Sequence, residues 1–174
     1  MSKIGLFFGP LKGSVNRVAD MICEKIGKDR VELVHVRTAS VADFERFDRI
    51  IFGISTVGKE TWDASITKTD WGIFLPEVSK GNFSGKTVAI FGLGNHVTYA
   101  ASFVDFMGLL AEELLKAEAK IIGRVPVDGY EFEESAAVYD GEFIGLPLDE
   151  DFEPELTPER VDNWLEILKK DFNF

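Results

Sequence analysis

The chain has 174 residues, 45% of them hydrophobic, and a formal net charge of −11. This length and apolar content suit one globular domain over residues 1–174 and exclude a disordered chain. The negative charge disfavours nucleic acid and anionic membrane partners, and no apolar stretch reaches the roughly 20 residues of a membrane-spanning helix.

Apolar runs alternate with helical patterns along the whole chain. The predicted strands are residues 4–8, 31–36, 49–54, 87–91, 120–125 and 142–148. The predicted helices are residues 14–26, 41–47, 71–78, 102–116 and a last helix with Thr157 as N-cap and Pro158 in its first turn. Strands that are apolar almost throughout are typical of a parallel sheet covered on both faces. The alternation therefore predicts an α/β fold with one doubly wound sheet.

The polar segment of residues 127–141 interrupts this alternation, and we interpret it as an insertion within or beside the last strand. The surrounding residues 125–160 contain twelve acidic residues and one basic residue, Arg160. This surface would attract a basic protein partner, although it could equally be only a well-solvated surface. The single cysteine, Cys23, lies in the first predicted helix and suits a buried position in a reducing, cytoplasmic compartment. The N-terminus has no signal-peptide pattern.

In open sheets of this kind, ligands bind beyond the carboxyl ends of the strands, and three predicted loops leave those ends. The first loop, residues 9–15, has Gly9 and Gly13 with Lys12 and Ser14 between or beside them, and Asn16 follows. It matches neither the Walker pattern nor the dinucleotide pattern G-x-G-x-x-G. It is either an ordinary strand–helix turn or a loop that binds a phosphate monoester through amides and hydroxyls.

The second loop, residues 55–69, is long and polar, which is typical of a functional or mobile segment. Thr56 could offer a hydroxyl to a phosphate, and Gly58 would let a peptide plane turn over. Val57 and Trp62 are candidates to lie on a flat ring, although Trp62 could instead cap the loop against the protein.

The third loop, residues 92–102, contains an amide and a phenol suited to a heteroaromatic ligand. Tyr99 can stack on a ring, and Asn95 can donate to and accept from a polar ring edge. His96 is expected to be solvated rather than a catalytic proton donor. No Ser–His–acid arrangement is visible, and His35 and His96 lack metal-ligand spacing, so no catalytic residue and no metal site are predicted.

Longer motifs then resemble those of the flavodoxin family. They are "KIGLFFG", "FLPEV", "NFSGKTVAIFGLGNHVTYAASFVDFMGLL", "GYEFEESAAVYDGEFIGLPLDEDFEPELTPERVDNWL" and the terminal "DFNF". The resemblance covers essentially the whole chain and is closest to the long-chain, nitrogen-fixation type, with the long-chain insertion at about residues 126–142. It implies a five-stranded parallel sheet of order 2-1-3-4-5, non-covalently bound FMN, and electron transfer in single steps between oxidised, half-reduced and fully reduced flavin.

The resemblance also implies the cofactor-binding residues. Around the phosphate these are Pro10, Leu11, Lys12, Gly13, Ser14 and Val15, with Thr56 adding a hydroxyl. Beside the reactive flavin edge they are Val57, Gly58 and Lys59, with the Gly58–Lys59 peptide facing N5. At the ring they are Gly92, Leu93, Gly94, Asn95 and Tyr99, of which Tyr99 covers the outer ring face and Asn95 lies near the pyrimidine end.

Several residues depart from the family pattern. The family's first loop reads T/S-x-T-G-x-T, whereas this chain has Pro10, Lys12 and Val15 at the three hydroxyl positions. Lys12 could compensate by pairing with the phosphate, and Ser14 and Asn16 could also reach it. Lys59 and Asn95 replace acids, so we expect higher potentials than in the nitrogen-fixation type.

The expected partners are a reductase that donates electrons and a low-potential enzyme that accepts them, both docking on the acidic surface of a monomer. Two other functions stay open at this point. One is a flavodoxin-fold binding or regulatory module with weak or lost FMN binding, and the other is a small flavin-dependent reductase.

Overall fold

Five parallel strands form the central sheet of the protein. The structure, a computed structural model, describes residues 2–56 and 69–174. The strands are β1 (Ile4–Phe8), β2 (Val31–His35), β3 (Arg49–Ser55), β4 (Thr87–Leu93) and β5 (Lys120–Ile122). Their order is β2-β1-β3-β4-β5, and every neighbouring pair is parallel. The predicted α/β class and strand order are confirmed.

Helices cover both faces of this sheet. They are α1 (Ser14–Ile26), α2 (Val41–Glu45), α3 (Asp70–Lys80), α4 (Asp105–Lys116) and α5 (Thr157–Phe172). The apolar stripe of α1 packs with α5 on one face, and α2, α3 and α4 pack on the other. The central strands are buried on both sides for this reason, which explains their continuous apolar sequence. Cys23 lies in the α1 stripe and is buried, as predicted.

The last strand of the sheet is interrupted. Strand β5 pairs with residues 87–89 of β4, and a later strand, β9 (Leu146–Leu148), pairs with residues 91–93 of the same strand. Between them lies a small antiparallel sheet of β6 (Val125–Pro126), β7 (Val138–Tyr139) and β8 (Glu142–Phe143). The two predicted strands at 120–125 and 142–148 are therefore each split, because positive-φ Gly123 turns the chain after β5, and Ile144–Gly145 separates β8 from β9.

The starts of α4 and α5 differ from the predictions. Helix α4 begins at Asp105 rather than at residue 102, because Val104 has a φ of 48° and separates it from a 3₁₀ turn at Ala100–Ser102. Thr157 is not an N-cap, since the helix begins at this residue and its hydroxyl donates a hydrogen bond to Glu150. Pro158 does lie in the first turn.

Candidate functional site

The carboxyl ends of three adjacent strands lie at one edge of the sheet. In the parallel register, Phe8 of β1 is paired with Gly53 of β3, and Ser55 of β3 is paired with Leu93 of β4. The first and third loops therefore leave the sheet on either side of β3. This edge is where open α/β sheets bind ligands.

The first loop ends in an open helix N-terminus. Arg17 donates the first intrahelical hydrogen bond, to the carbonyl of Gly13, so the N–H groups of Ser14, Val15 and Asn16 precede it. The first turn of α1 holds no acidic residue and Gly13 provides no side-chain cap. A Cβ added at Gly13 would meet only Pro10 Cγ, at 3.9 Å, so the space around this residue is open. Such an end favours a bound anion.

The side chains of the first loop divide into two groups. Val15 is buried in the core, so only its backbone can face a ligand, and the Asn16 amide accepts from the Lys12 N–H and donates to Asp20. Pro10, Leu11 and Lys12 are exposed. The Ser14 hydroxyl accepts from the Arg17 guanidinium at 2.7 Å and keeps its proton for another acceptor. Positive charge and one hydroxyl therefore lie beside the helix end.

Arg17 was not predicted as a site residue. Its spacing of three from Ser14 was the available signal, because residues three apart on a helix are neighbours. The Arg17 guanidinium also lies 3.7 Å from the Glu150 carboxylate.

The Thr56 hydroxyl serves the start of α4. Thr56 is buried, its N–H donates to the Leu93 carbonyl at 2.7 Å, and its Oγ1 accepts from the Phe106 N–H at 3.0 Å. It replaces the missing side-chain cap of α4 and retains one proton for a ligand. The predictions for Val57, Gly58, Lys59 and Trp62 fall outside the described residues.

The third loop is held by its own backbone and by a turn from elsewhere in the chain. Gly92 and Leu93 are buried in β4, and the Gly94 N–H donates to the Leu148 carbonyl at 2.9 Å. The Asn95 side chain accepts from the Thr98 N–H and donates to Asp151 at 3.0 Å. The Asn95 carbonyl accepts from the Tyr99 N–H.

Tyr99 itself is 38% exposed. It lies in the loop that leaves β4 at this edge of the sheet, with part of the residue open to solvent.

His96 is not solvated, contrary to the prediction. Its side chain is 14% exposed and its Nδ1 lies 2.5 Å from Oδ2 of Asp149, whose own side chain is fully buried. Burial alone would raise the pKa of Asp149. Hydrogen bonds from the His96 and Phe152 N–H groups, the His96 ring and the Asp151 N–H outweigh it and hold that pKa below its usual 3.8.

A second histidine–carboxylate pair, His35 and Asp70, borders the first loop. His35 Nε2 lies 3.1 Å from the Asp70 carboxylate, and Arg37 approaches the same carboxylate at 3.7 Å. They line a cavity of about 680 Å³ together with Pro10 and Leu11. Within residues 2–56 and 69–174, no group of three His, Cys, Asp or Glu side chains could hold a metal ion. No helix in those ranges is long and apolar enough to cross a membrane.

Comparison with known proteins agrees with this geometry. The family profile described as Flavodoxin matches residues 6–164. The chain belongs to the flavodoxin family. Among curated flavodoxins, that of a Synechocystis strain is 39% identical over 97% of both chains, and Flavodoxin 1 of Azotobacter vinelandii is 37% identical over 99% of this chain and 98% of its own.

A solved flavodoxin shares the whole architecture. The crystal structure of Fusobacterium nucleatum flavodoxin bound to flavin mononucleotide has a TM-score of 0.88 and 31% identity, and the match covers 99% of each chain. The long-chain type is consistent with 174 residues. The cyanobacterial and Azotobacter flavodoxins are similar to this chain to nearly the same degree, so the nitrogen-fixation subtype stays a prediction.

Proposed function

We propose that this flavodoxin binds FMN non-covalently and carries electrons one at a time between redox enzymes. One observation carries the proposal: the open N-terminus of α1, with Lys12 and Arg17 beside it, lies at the same sheet edge as the exposed ring of Tyr99. An anion site and an aromatic face at one edge suit a phosphorylated ring compound. The FMN-bound relative with 31% identity supports this ligand.

The residues present fit the phosphate of FMN even though the family's three hydroxyls are absent. The N–H groups of Ser14 and Val15 and the Ser14 hydroxyl can donate to it. The exposed Lys12 and the guanidinium of Arg17 supply charge in place of the hydroxyls. The buried side chain of Val15 takes no part.

The ring of FMN would lie against Tyr99 and the backbone of residues 94–95. Bound FMN supplies the electron chemistry, and the protein supplies position and electrostatic field. The acidic residues 149–151 adjoin the third loop, and Asp149 among them is buried and ionised. Their negative charge opposes further negative charge on a ring placed there, which lowers the potential for adding the last electron.

A flavin titration tests the proposal. Apoprotein should quench FMN fluorescence to saturation at one equivalent, and riboflavin, which lacks the phosphate, should bind more weakly. No quenching at about 100 μM FMN would overturn the proposed function. The alternative of a flavin-free module is not favoured by any comparison with known proteins.

We further propose that the protein docks basic partners, a reductase donor and a low-potential acceptor, through the acidic surface of residues 125–160. Phe152 lies within this segment and is 50% exposed, and Val97, which is 55% exposed, lines a groove together with Glu133. Electron transfer to such a partner should slow as salt is raised, since screening weakens charge attraction. A rate independent of salt would contradict this docking.

The same proposal places the chain in the cytoplasm as a monomer of one domain, without reductase activity of its own. Light scattering after gel filtration should give the monomer mass of 19.4 kDa. The isolated flavoprotein should not oxidise a nicotinamide cofactor, and turnover of that cofactor would instead favour the reductase alternative.

A further inference from the structure

The turn that follows β9 contacts both halves of the candidate flavin site. We define the acidic turn as Asp149, Glu150 and Asp151. Glu150 lies 3.7 Å from Arg17, near the N-terminus of α1, and Asp151 accepts from the Asn95 amide in the third loop at 3.0 Å. The phosphate end and the ring end of the site are therefore tied to one short segment.

Asp149 is the centre of this turn. Its Oδ2 accepts from the backbone N–H of His96 at 2.9 Å and lies 2.5 Å from the His96 ring. Its Oδ1 accepts from the N–H groups of Asp151 and Phe152, both at 2.9 Å. The carboxylate is fully buried, so its charge must be stabilised by these donors. Oδ2 therefore holds the third loop through His96, and Oδ1 stabilises the acidic turn through the N–H groups of Asp151 and Phe152.

The neighbours of Asp149 show that its role is specific. His96 packs edge-on against Phe103 and Phe152, with ring centroids 6.3 and 6.1 Å away. Glu150 is directed to Arg17 and to the Thr157 hydroxyl, and Asp151 to Asn95. Among the described residues, the carboxylate that contacts His96 is that of Asp149.

Held in this way, the third loop presents its ligand-facing groups in a defined arrangement. His96 follows Asn95 directly, and the Asn95 carbonyl in turn receives the N–H of Tyr99 at 3.0 Å. Fixing residues 95 and 96 therefore fixes the backbone position of Tyr99.

We infer that Asp149, acting through His96, is a positioning residue that holds Asn95 and Tyr99 in the arrangement that receives the flavin ring. This inference rests on the proposed FMN function. Because the ring is common to FMN and riboflavin, the effect of Asp149 extends to both ligands. A residue that acts only on the phosphate would affect FMN alone.

The test compares Asp149→Asn with Asp151→Asn. Both remove one negative charge from the acidic turn, but the Asp151→Asn side chain can still accept from Asn95. In Asp149→Asn the NH₂ group must face either the His96 N–H or the N–H groups of Asp151 and Phe152, so one of the two contacts of the carboxylate is lost in either orientation. We expect Asp149→Asn to weaken FMN and riboflavin binding by about 10-fold or more, and Asp151→Asn by less than about 3-fold. The visible circular dichroism of bound FMN, which reports the ring's surroundings, should change only in Asp149→Asn.

A second pair of variants keeps the inference testable if Asp149→Asn does not fold. His96→Leu loses the ring contact to Asp149, while His96→Asn keeps an N–H donor near the Nδ1 position. Binding of both flavins should fall in His96→Leu and recover in His96→Asn, with each apoprotein shown by circular dichroism to be folded. Recovery of binding and of the dichroism spectrum is not expected from a lost packing contact alone.

The outcomes are distinguishable. Wild-type protein that binds no FMN overturns the proposed function and this inference with it. Wild-type protein that binds FMN, together with equal affinities for Asp149→Asn and Asp151→Asn, or for His96→Leu and His96→Asn, overturns the inference alone.

Discussion

Lys12 offers a way to separate the conformational cost of the first loop from its electrostatic benefit. Its backbone has a φ of 64°, a left-handed conformation that a lysine adopts at a cost and glycine adopts freely. Its N–H is bonded to Asn16, and its side chain is exposed. Lys12→Gly removes both the strain and the charge, whereas Lys12→Gln removes the charge and keeps the strain.

The two effects have opposite signs and can be given magnitudes. Relief of the left-handed strain should raise the free energy of unfolding of Lys12→Gly apoprotein by about 1 kcal/mol, and Lys12→Gln should leave it unchanged. A hydrogen bond to a charged group contributes about 1.5–3 kcal/mol, so both variants should bind FMN about 10- to 150-fold more weakly. Riboflavin affinity should not change in either variant.

Urea unfolding of the apoproteins measures the first effect, and fluorescence titrations with FMN and riboflavin measure the second. The loss of FMN affinity should shrink at high salt, where the charge of an exposed lysine is screened. Unchanged FMN affinity in both variants would refute the assignment of Lys12 to the phosphate. An equal loss for riboflavin would instead show that the substitutions disturb the loop as a whole.

Three further predictions follow from single contacts. Burial, partly offset by a nearby arginine, raises the pKa of Tyr130 from 10 to about 12. The stability that the neutral phenol contributes to the folded protein below pH 10 is therefore lost as the pH rises towards 12. Tyr130→Phe should remove the last tyrosinate transition seen by ultraviolet absorbance. Asn95→Asp would place a second carboxylate beside Asp151, where the amide now lies 3.0 Å from a carboxylate oxygen, and should destabilise the apoprotein more at neutral pH than at about pH 4. Gly108→Ala would place a Cβ 2.2 Å from the Ala136 carbonyl oxygen. This overpacking should lower the free energy of unfolding, measured by urea titration, by about 1–3 kcal/mol. An unchanged urea midpoint would contradict this close approach.

Helix α1 shows why part of the fold could be predicted directly. Its buried positions recur with helical spacing, and Gly13 and Gly27 bound it, so the predicted span 14–26 equals the observed one. The strand order was a different case. It came from the family resemblance, because apolar periodicity alone permits several orders.

The site was predictable only where its contacts are local. The first loop could be located from the end of a strand and the start of a helix that adjoin it in sequence. By contrast, His96 and Asp149 are 53 residues apart, and Thr56 and Phe106 are 50 apart. A lone loop histidine predicts a solvated side chain, and nothing near His96 in the chain indicates the distant carboxylate that its ring contacts.

The amino-acid sequence by itself determined the alternation of strands and helices, the burial of Cys23 and the position of the open helix end. These depend on local periodicity and on which residues tolerate turns. Only the tertiary structure decided that the interrupted last strand returns beside β4 and brings Asp149 to the third loop. The reason is physical: a buried carboxylate needs donors, and the pairing of β9 with β4 is what places the His96 N–H within its reach.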